Sequence, residues 1–425
     1  MQAFGFGDRF VKYIQLLYSD ISGVVKVNGG LCEPFDVRRG VRQGCPLSGM
    51  LYVLALEPFL VKLRGVLTGL SIPCCTAEPV KVSAYADVII IVIKNQEDVD
   101  ILLQCQRSFE IISSAKINWG KSSAILVGKW TGLKPRQLVG GLQWSSGGLL
   151  YLGVFLGDEH FIRKNWDGVL QKVKDRLARW RWILPQLSYR GRMLIINNLI
   201  ASGLWHKCIC LEPPAQLLQN IQEVLINFFW DGLHWLRRSV LFQPLDEGGQ
   251  CIIDVFGRVA AFRLQTLQEL LYPSEHQPWM DFAQHFFDHI ENLKFGKTLL
   301  LCQVNKFDMS DILDFYKSLC RAWQMVTIKG DEDSLSLFWV LEEPIVNNVK
   351  YSSSVGLSQT FINHLKHGVC TKLKHVIDCE KFCWKNAKEI AHQIGVRSVR
   401  VEQTFLTQVK ASLSAESSAL LTDVQ

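Results

Sequence analysis

The spacing of apolar residues along this chain changes character near residue 157. Before that point, helical and alternating patterns are mixed. Phe10, Ile14, Leu17 and Tyr18 recur at helical spacing, and Asn28-Gly29-Gly30 then signals a turn. Leu51, Leu54, Leu56, Leu60 and Leu63 predict a helix over 46–66, with Pro46 suited to its first turn. The apolar run Val82–Ile93 is broken only at Ala86-Asp87 and reads as a hairpin. A helix from Gln96 to Ser114 should bury Leu102, Leu103, Phe109 and Ile112. Ala124–Val127 and Leu149–Leu156 look like further strands. Residues 1–157 therefore predict an α+β fold, with helices on one face of a small antiparallel sheet.

Beyond 157 the period is helical. Trp166, Val169, Leu170, Val173, Leu177 and Trp180 form one apolar stripe. Pro213-Pro214 opens another helix, with Leu217, Ile221, Val224, Leu225 and Phe228 on one side. Pro273 and Pro278 bracket the expected linker, 273–278. Residues 279–425 are helix-rich without an assignable motif, and the small, polar stretch from Ser412 to Gln425 is expected to fray. These breaks predict three domains: 1–157, 158–272 and 279–425.

Composition narrows the class. With 48% hydrophobic and 20% charged residues, the chain is globular rather than disordered. A net charge of +6 permits nucleic-acid binding without demanding it. No apolar run reaches the length of a membrane span, and the N-terminus does not read as a secretory signal. Thirteen scattered cysteines, with no Cys-x-x-Cys pair, favour reduced thiols in an intracellular, nuclear or cytoplasmic setting rather than a secreted one. The cluster His364, His367, Cys370, His375, Cys379 and Cys383 leaves two readings: a zinc site, or a helix with buried thiols and exposed histidines.

The motifs are more specific than the composition. Arg42-Gln43-Gly44-Cys45-Pro46-Leu47-Ser48 is followed by Tyr85-Ala86-Asp87-Val88 on the apolar hairpin. Then come Lys116-Ile117-Asn118-Trp119-Gly120-Lys121-Ser122 and Tyr151-Leu152-Gly153. In order and spacing these resemble four consecutive palm motifs of reverse transcriptases from non-LTR (LINE-type) retrotransposons. Leu187-Ser188-Tyr189-Arg190-Gly191-Arg192, Phe228-Phe229-Trp230-Asp231-Gly232 and Glu247-Gly248-Gly249-Gln250 resemble the segment that follows. The resemblance covers residues 1–272. It implies a partial right-hand polymerase palm, a thumb-like helical domain and a helical C-terminal region. The family's fingers, its upstream endonuclease and its downstream Cys/His knuckle are not recognisable, so a truncated polymerase is expected.

By this resemblance the activity is RNA-directed DNA polymerisation, with Mg²⁺ as cofactor and an RNA template, a DNA primer and dNTPs as partners. Two-metal nucleotidyl transfer needs carboxylates from two strands. The family places two adjacent aspartates in the hairpin turn, but here the second is Val88. Its first catalytic aspartate lies upstream of a helix like the one containing Phe10, and nothing before Phe10 supplies it. Phe35-Asp36 lies too close to Gln43 to be that motif. Asp87 is thus a relic metal ligand or an ordinary turn aspartate, and the expectation is an inactive enzyme. The alternative is a nucleic-acid-binding or orphan protein without enzymatic role.

The resemblance assigns Arg42, Gln43, Gly44 and Tyr85 to nucleotide and template binding, with a Gly-Cys-Pro helix-capping turn as the plain alternative for the loop. It assigns Lys121 and Lys116 to the departing pyrophosphate, and Tyr151, Leu152 and Gly153 to the primer grip. Gly49 stands where the family usually has proline. Lys172, Lys174, Arg176, Arg179, Arg181, Arg190 and Arg192 form the best electrostatic candidate, read either as the thumb surface that holds template–primer or as a solvated face. Trp166, Trp180, Trp205, Trp230 and Trp235 are candidates for base stacking or for the core.

Overall fold

The computed structural model describes the chain except residues 38–39, 43, 72–77, 129–141, 233, 327–336, 350–356, 379–382, 414–416, 419–420 and 422–425. It divides into two compact units, Met1–Leu156 and Gly157–Gln425.

The first unit mixes helices with short strand pairs, in keeping with an α+β chain. Helix α1 spans Asp8–Tyr18 and α2 spans Ser48–Val66. Strands β1 (Val82–Tyr85) and β2 (Val88–Ile91) pair in the register Tyr85↔Val88 to Val82↔Ile91. Helix α3 (Gln96–Ser113) starts where the Asn95 side chain accepts the Asp98 N–H, a polar N-cap. The core forms where α2 presents Leu56, Phe59, Leu60 and Leu63 to Val82, Ala84, Ile89 and Ile91 of the hairpin and to Ile101, Leu102, Cys105 and Phe109 of α3. Ile112 was expected inside; it is 86% exposed, because it lies a turn past Phe109, where this cluster ends.

The single antiparallel sheet expected for this unit does not form among the described residues, whose strands pair only two by two. The expected strand Leu149–Leu156 is instead a hairpin, β3 (Gly148–Tyr151) and β4 (Val154–Gly157). It folds back because Leu152 and Gly153 both adopt positive φ, 48° and 80°, as the tightest hairpin turns require. The expected strand Ala124–Val127 shrinks to Ser123–Ala124, which pairs in parallel with Gln143–Trp144.

The second unit is helical. Helix α4 (Val169–Ala178) buries Val173 and Leu177, and Trp166, Val169, Leu170 and Trp180 of the same stripe pack beside them. Helix α5 (Tyr189–Cys210) passes through a π-helical stretch, Ile195–Ile200, and a tighter one, Ala201–Leu204. Helix α6 (Ala215–Trp230) carries the expected apolar side inward and ends at Asp231 in the left-handed region. Helix α7 spans Val255–Leu271. The sequence showed no apolar run long enough for a membrane, yet among the described residues one helix, α5, is long and apolar enough by length and composition. The helix unites segments that polar residues separate in the sequence, and it turns Ile195, Ile196, Ile200, Ala201, Leu204 and Cys208 into the core.

The linker expected at 273–278 does not divide this unit. Helix α8 (Pro278–His289) follows at once, and α9 (Asp314–Gln324) packs on α7. The reason is Arg263 of α7, which is 1% exposed. Its guanidinium donates to the Cys208, Ile209 and Leu211 carbonyls at 2.9, 3.2 and 2.7 Å, to Glu212 Oε2 at 3.0 Å and to Ser318 Oγ at 2.8 Å. It also lies over the Phe315 ring. One buried cation thus closes the end of α5 and clamps α9 to α7, across the expected boundary.

Further on, the zinc reading of the His/Cys cluster finds no support among the described residues, where no three His, Cys, Asp or Glu side chains are grouped to hold a metal ion. Cys370 is fully buried, and burial pushes its thiol up to about 12. His375 Nδ1 accepts the Thr371 and Lys372 N–H groups, each at 3.1 Å, so that nitrogen is engaged. Cys379 lies outside the described residues.

Candidate active-site hairpin and nucleic-acid face

The β1–β2 hairpin tip is built by two residues, Ala86 and Asp87. Ala86 sits at φ 52°, a left-handed conformation that a residue with a Cβ adopts at a cost of about 1–3 kcal/mol. Alternation decides what faces where. Val82, Ala84, Ile89 and Ile91 meet the core, so Tyr85 and Val88, paired across the strands, share the outer face. Tyr85 is 67% exposed and Val88 38%. Val88 therefore holds an outward position and is not among the residues packing this core. Asp87 is exposed and enters no ion pair or hydrogen bond with a described residue. Tyr52 of α2 lies near it: burial first, then the Asp87 charge, raises the Tyr52 hydroxyl above its usual range. Tyr52 was not singled out in the sequence, where it is one more aromatic in an apolar helix.

The loop before α2 is tied to the end of α1. Arg42 Nη2 donates to the Leu17 carbonyl at 2.8 Å, and its guanidinium lies over the Tyr18 ring. The Tyr18 hydroxyl lies 3.1 Å from Ser48 Oγ and 3.7 Å from Cys45 Sγ. The Leu47 N–H and then the Tyr18 hydroxyl hold the Cys45 thiol below its ordinary value. Arg42 thus has a structural task before any ligand arrives. Gly44 turns the chain at φ 83°, and no heavy atom would meet a Cβ there, which leaves its backbone open. Gln43 lies outside the described residues.

Lys116 and Lys121 are both exposed, and neither pairs with Asp87. Lys121 ends a short turn that Asn118 caps, at 3.2 Å from its N–H. Tyr151 ends β3, and Leu152 and Gly153 form the turn into β4, so the three residues expected at the primer grip lie at a hairpin end.

Within the helical unit, Lys172, Lys174, Arg176, Arg179, Arg181 and Arg190 are exposed, and none forms an ion pair with another described residue. Arg192 departs from that face. It donates to the Phe229, Leu184 and Leu187 carbonyls at 2.8, 3.0 and 3.3 Å, closing the junction between α5 and the end of α6. Four of the five candidate tryptophans, 166, 180, 205 and 230, pack into or against the core. Trp235 is 70% exposed, and so is Trp182 at 76%, which the stripe pattern gave no reason to select.

Comparison with known proteins decides the family of the first unit. Residues 1–156 match the family described as reverse transcriptase (RNA-dependent DNA polymerase). Residues 1–156 are a reverse transcriptase domain of retrotransposon origin. The whole chain is 34% identical to the transposon TX1 uncharacterized 149 kDa protein of Xenopus laevis, of which it covers 32%. Over 64% of its length it is 25% identical to the retrovirus-related Pol polyprotein from type-1 retrotransposable element R2 of Popillia japonica, covering 35% of that protein. The relatives support a LINE-type reverse transcriptase, and the chain spans about a third of the length of each.

The reverse transcriptase domain can be tested against the two Mg²⁺ ions its family implies. Such a site needs oxygen ligands from several carboxylates. The hairpin offers Asp87, the adjacent position offers a hydrocarbon, and no group of three candidate ligands converges among the described residues. The described residues do not fit a two-metal centre.

Proposed function

We propose that this chain is a reverse-transcriptase-derived nucleic-acid-binding protein that does not itself join nucleotides. Val88 carries the reading. It sits on the outer hairpin face beside Tyr85, where an acidic side chain would be accommodated, and it replaces a charge with an apolar group. Loss of one member of a catalytic set removes several powers of ten in rate. RNA template, DNA primer and dNTPs are the partners this ancestry suggests, and the exposed cations of Lys172–Arg190 support contact with the phosphate backbone. The described cysteines are free thiols, in keeping with work inside the cell, in nucleus or cytoplasm.

Primer extension with purified chain, RNA template, DNA primer, dNTPs and Mg²⁺ tests the reading. The expected result is no extension, for the wild type and for Val88→Asp alike. Extension by the wild type overturns the proposal.

A further inference from the structure

Helix α8 lies in the region whose sequence carried no assignable motif, and it presents two histidines one turn apart. Met280, Ala283 and Phe287 face the core. At the helical period, His285 and His289 fall on the opposite side. Their rings touch, with centroids 3.9 Å apart. His289 Nδ1 lies 2.7 Å from the His285 carbonyl. A carbonyl only accepts, so Nδ1 carries the proton, and in the neutral ring Nε2 keeps its lone pair. A backbone carbonyl fixing the second nitrogen in this way is the usual support of a metal-binding imidazole. His285 adds an independent observation. Its Nδ1 is buried and has no hydrogen-bond partner among the described residues, a costly state for a polar atom. The carboxylates nearest in the helix are engaged: Asp281 lies 3.1 Å from His276 Nε2, and Asp288 accepts from Gln284 Nε2 at 3.2 Å. After the helix, Glu291, Asn292 and Lys294 take left-handed conformations and turn the chain back, and the Lys294 N–H donates to the Asp288 carbonyl at 3.0 Å. An open depression remains beside His289, lined also by Asp288, Asn292 and Lys294.

We propose that His285 and His289 chelate a divalent transition-metal ion, with Zn²⁺ as its representative, on the outer side of α8. His289 offers Nε2 and His285 a ring nitrogen, the four-residue spacing by which a helix presents two imidazoles to zinc. Imidazole suits Zn²⁺, Cu²⁺ and Ni²⁺, whereas Mg²⁺ prefers oxygen. No third His, Cys, Asp or Glu side chain joins the pair among the described residues, so water fills the remaining positions from the depression beside His289. Structural zinc sites are closed by four protein ligands, and an open pair instead holds an exchangeable ion. The site is separate from the β1–β2 hairpin and does not depend on the nucleic-acid-binding reading.

The test is calorimetric titration of the full, reduced chain with Zn²⁺ alone, in a buffer that does not bind the ion. His289→Ala is expected to abolish one saturable site. His285→Ala is expected to weaken it by at least about tenfold, the loss that removal of a mere supporting partner brings. His276→Ala keeps both rings and should bind as the wild type does. Cysteine thiolates also take zinc, so a second readout locates the ion: carbethoxylation by diethyl pyrocarbonate, followed by peptide mass spectrometry. Zn²⁺ should protect His289, and Mg²⁺ should not. Far-ultraviolet circular dichroism and melting confirm that each variant is folded. A wild-type chain that binds no zinc overturns the proposal, as does a double variant, His285→Ala with His289→Ala, that keeps the site. Equal modification of His289 with and without Zn²⁺, equal protection by Mg²⁺, or loss of the site in His276→Ala overturns it as well.

Discussion

The two units differ in how they use their apolar residues. In Met1–Leu156, Leu56, Phe59, Leu60, Leu63 and Leu67 make a small core, while Phe10, Tyr13, Leu16 and Leu17 of α1 remain 41–72% exposed. In Gly157–Gln425, large clusters close around α4 to α7 and again around the end of α7, α8 and α9, and the buried Arg263 of α7 bonds to residues on both sides. The recognisable chemistry lies in the unit with little core, and most of the packing lies in the unit whose sequence carries few motifs. Motif legibility and packing are separate properties, because motifs sit on turns and outer faces while stability follows buried apolar area.

The largest expected effect falls on the helical unit. Arg263→Ala strands the Glu212 carboxylate and three carbonyls, and should destabilise that unit by about 3–5 kcal/mol in denaturant unfolding. A loss under 1 kcal/mol would mean that the segments 158–272 and 279–425 hold together without it, and Arg263 would not be what joins them. Next comes Leu63→Ala, at a fully buried position of the first unit. Its expected cost is about 2–3 kcal/mol, low in the range for such truncations because a half-exposed cluster can relax around it. Hydrogen exchange should show faster exchange in α2 and in the β1–β2 hairpin, with the helices of the second unit unchanged. Uniform loss of protection across both units would show that they unfold together.

The smallest effect is a pH dependence in the second unit. Burial, followed by the charges of Lys374, Lys372 and Lys385, lowers His375 from 6.5 to about 4. The unfolded chain therefore binds a proton there at a pH where the folded chain does not. Stability is full above pH 6.5 and falls as the pH drops toward 4. Glu342 acts in the same direction. Although burial opposes it, its bonds to Lys372 and Lys374 depress its pKa, so stability is lost as acid protonates it. Melting temperature followed from pH 7.5 to 4.5 should fall, and His375→Gln should flatten part of that fall. A profile identical to the wild type would remove His375 from the account.

Several elements were legible from spacing alone. Helix α2, the hairpin around Ala86-Asp87 and the apolar stripe of α4 follow their predicted periods, because each buries one face against a neighbour close in sequence. The β3–β4 turn was not legible, since Leu152 takes a left-handed conformation that its residue type disfavours. Arg192 and Arg263 could not be told from their exposed neighbours, because a cation committed to carbonyls carries the same letter as one facing water. Trp182 and Tyr52 lacked any periodic signal.

Residue identity and order were enough to name the ancestry and to see that Val88 holds no proton and no metal. Those properties belong to side chains and do not depend on where the rest of the chain lies. Which cations are buried, which converge and where one unit ends were decided by packing between residues dozens of positions apart. Distance and desolvation, rather than chemical type, then determine what a charge can do.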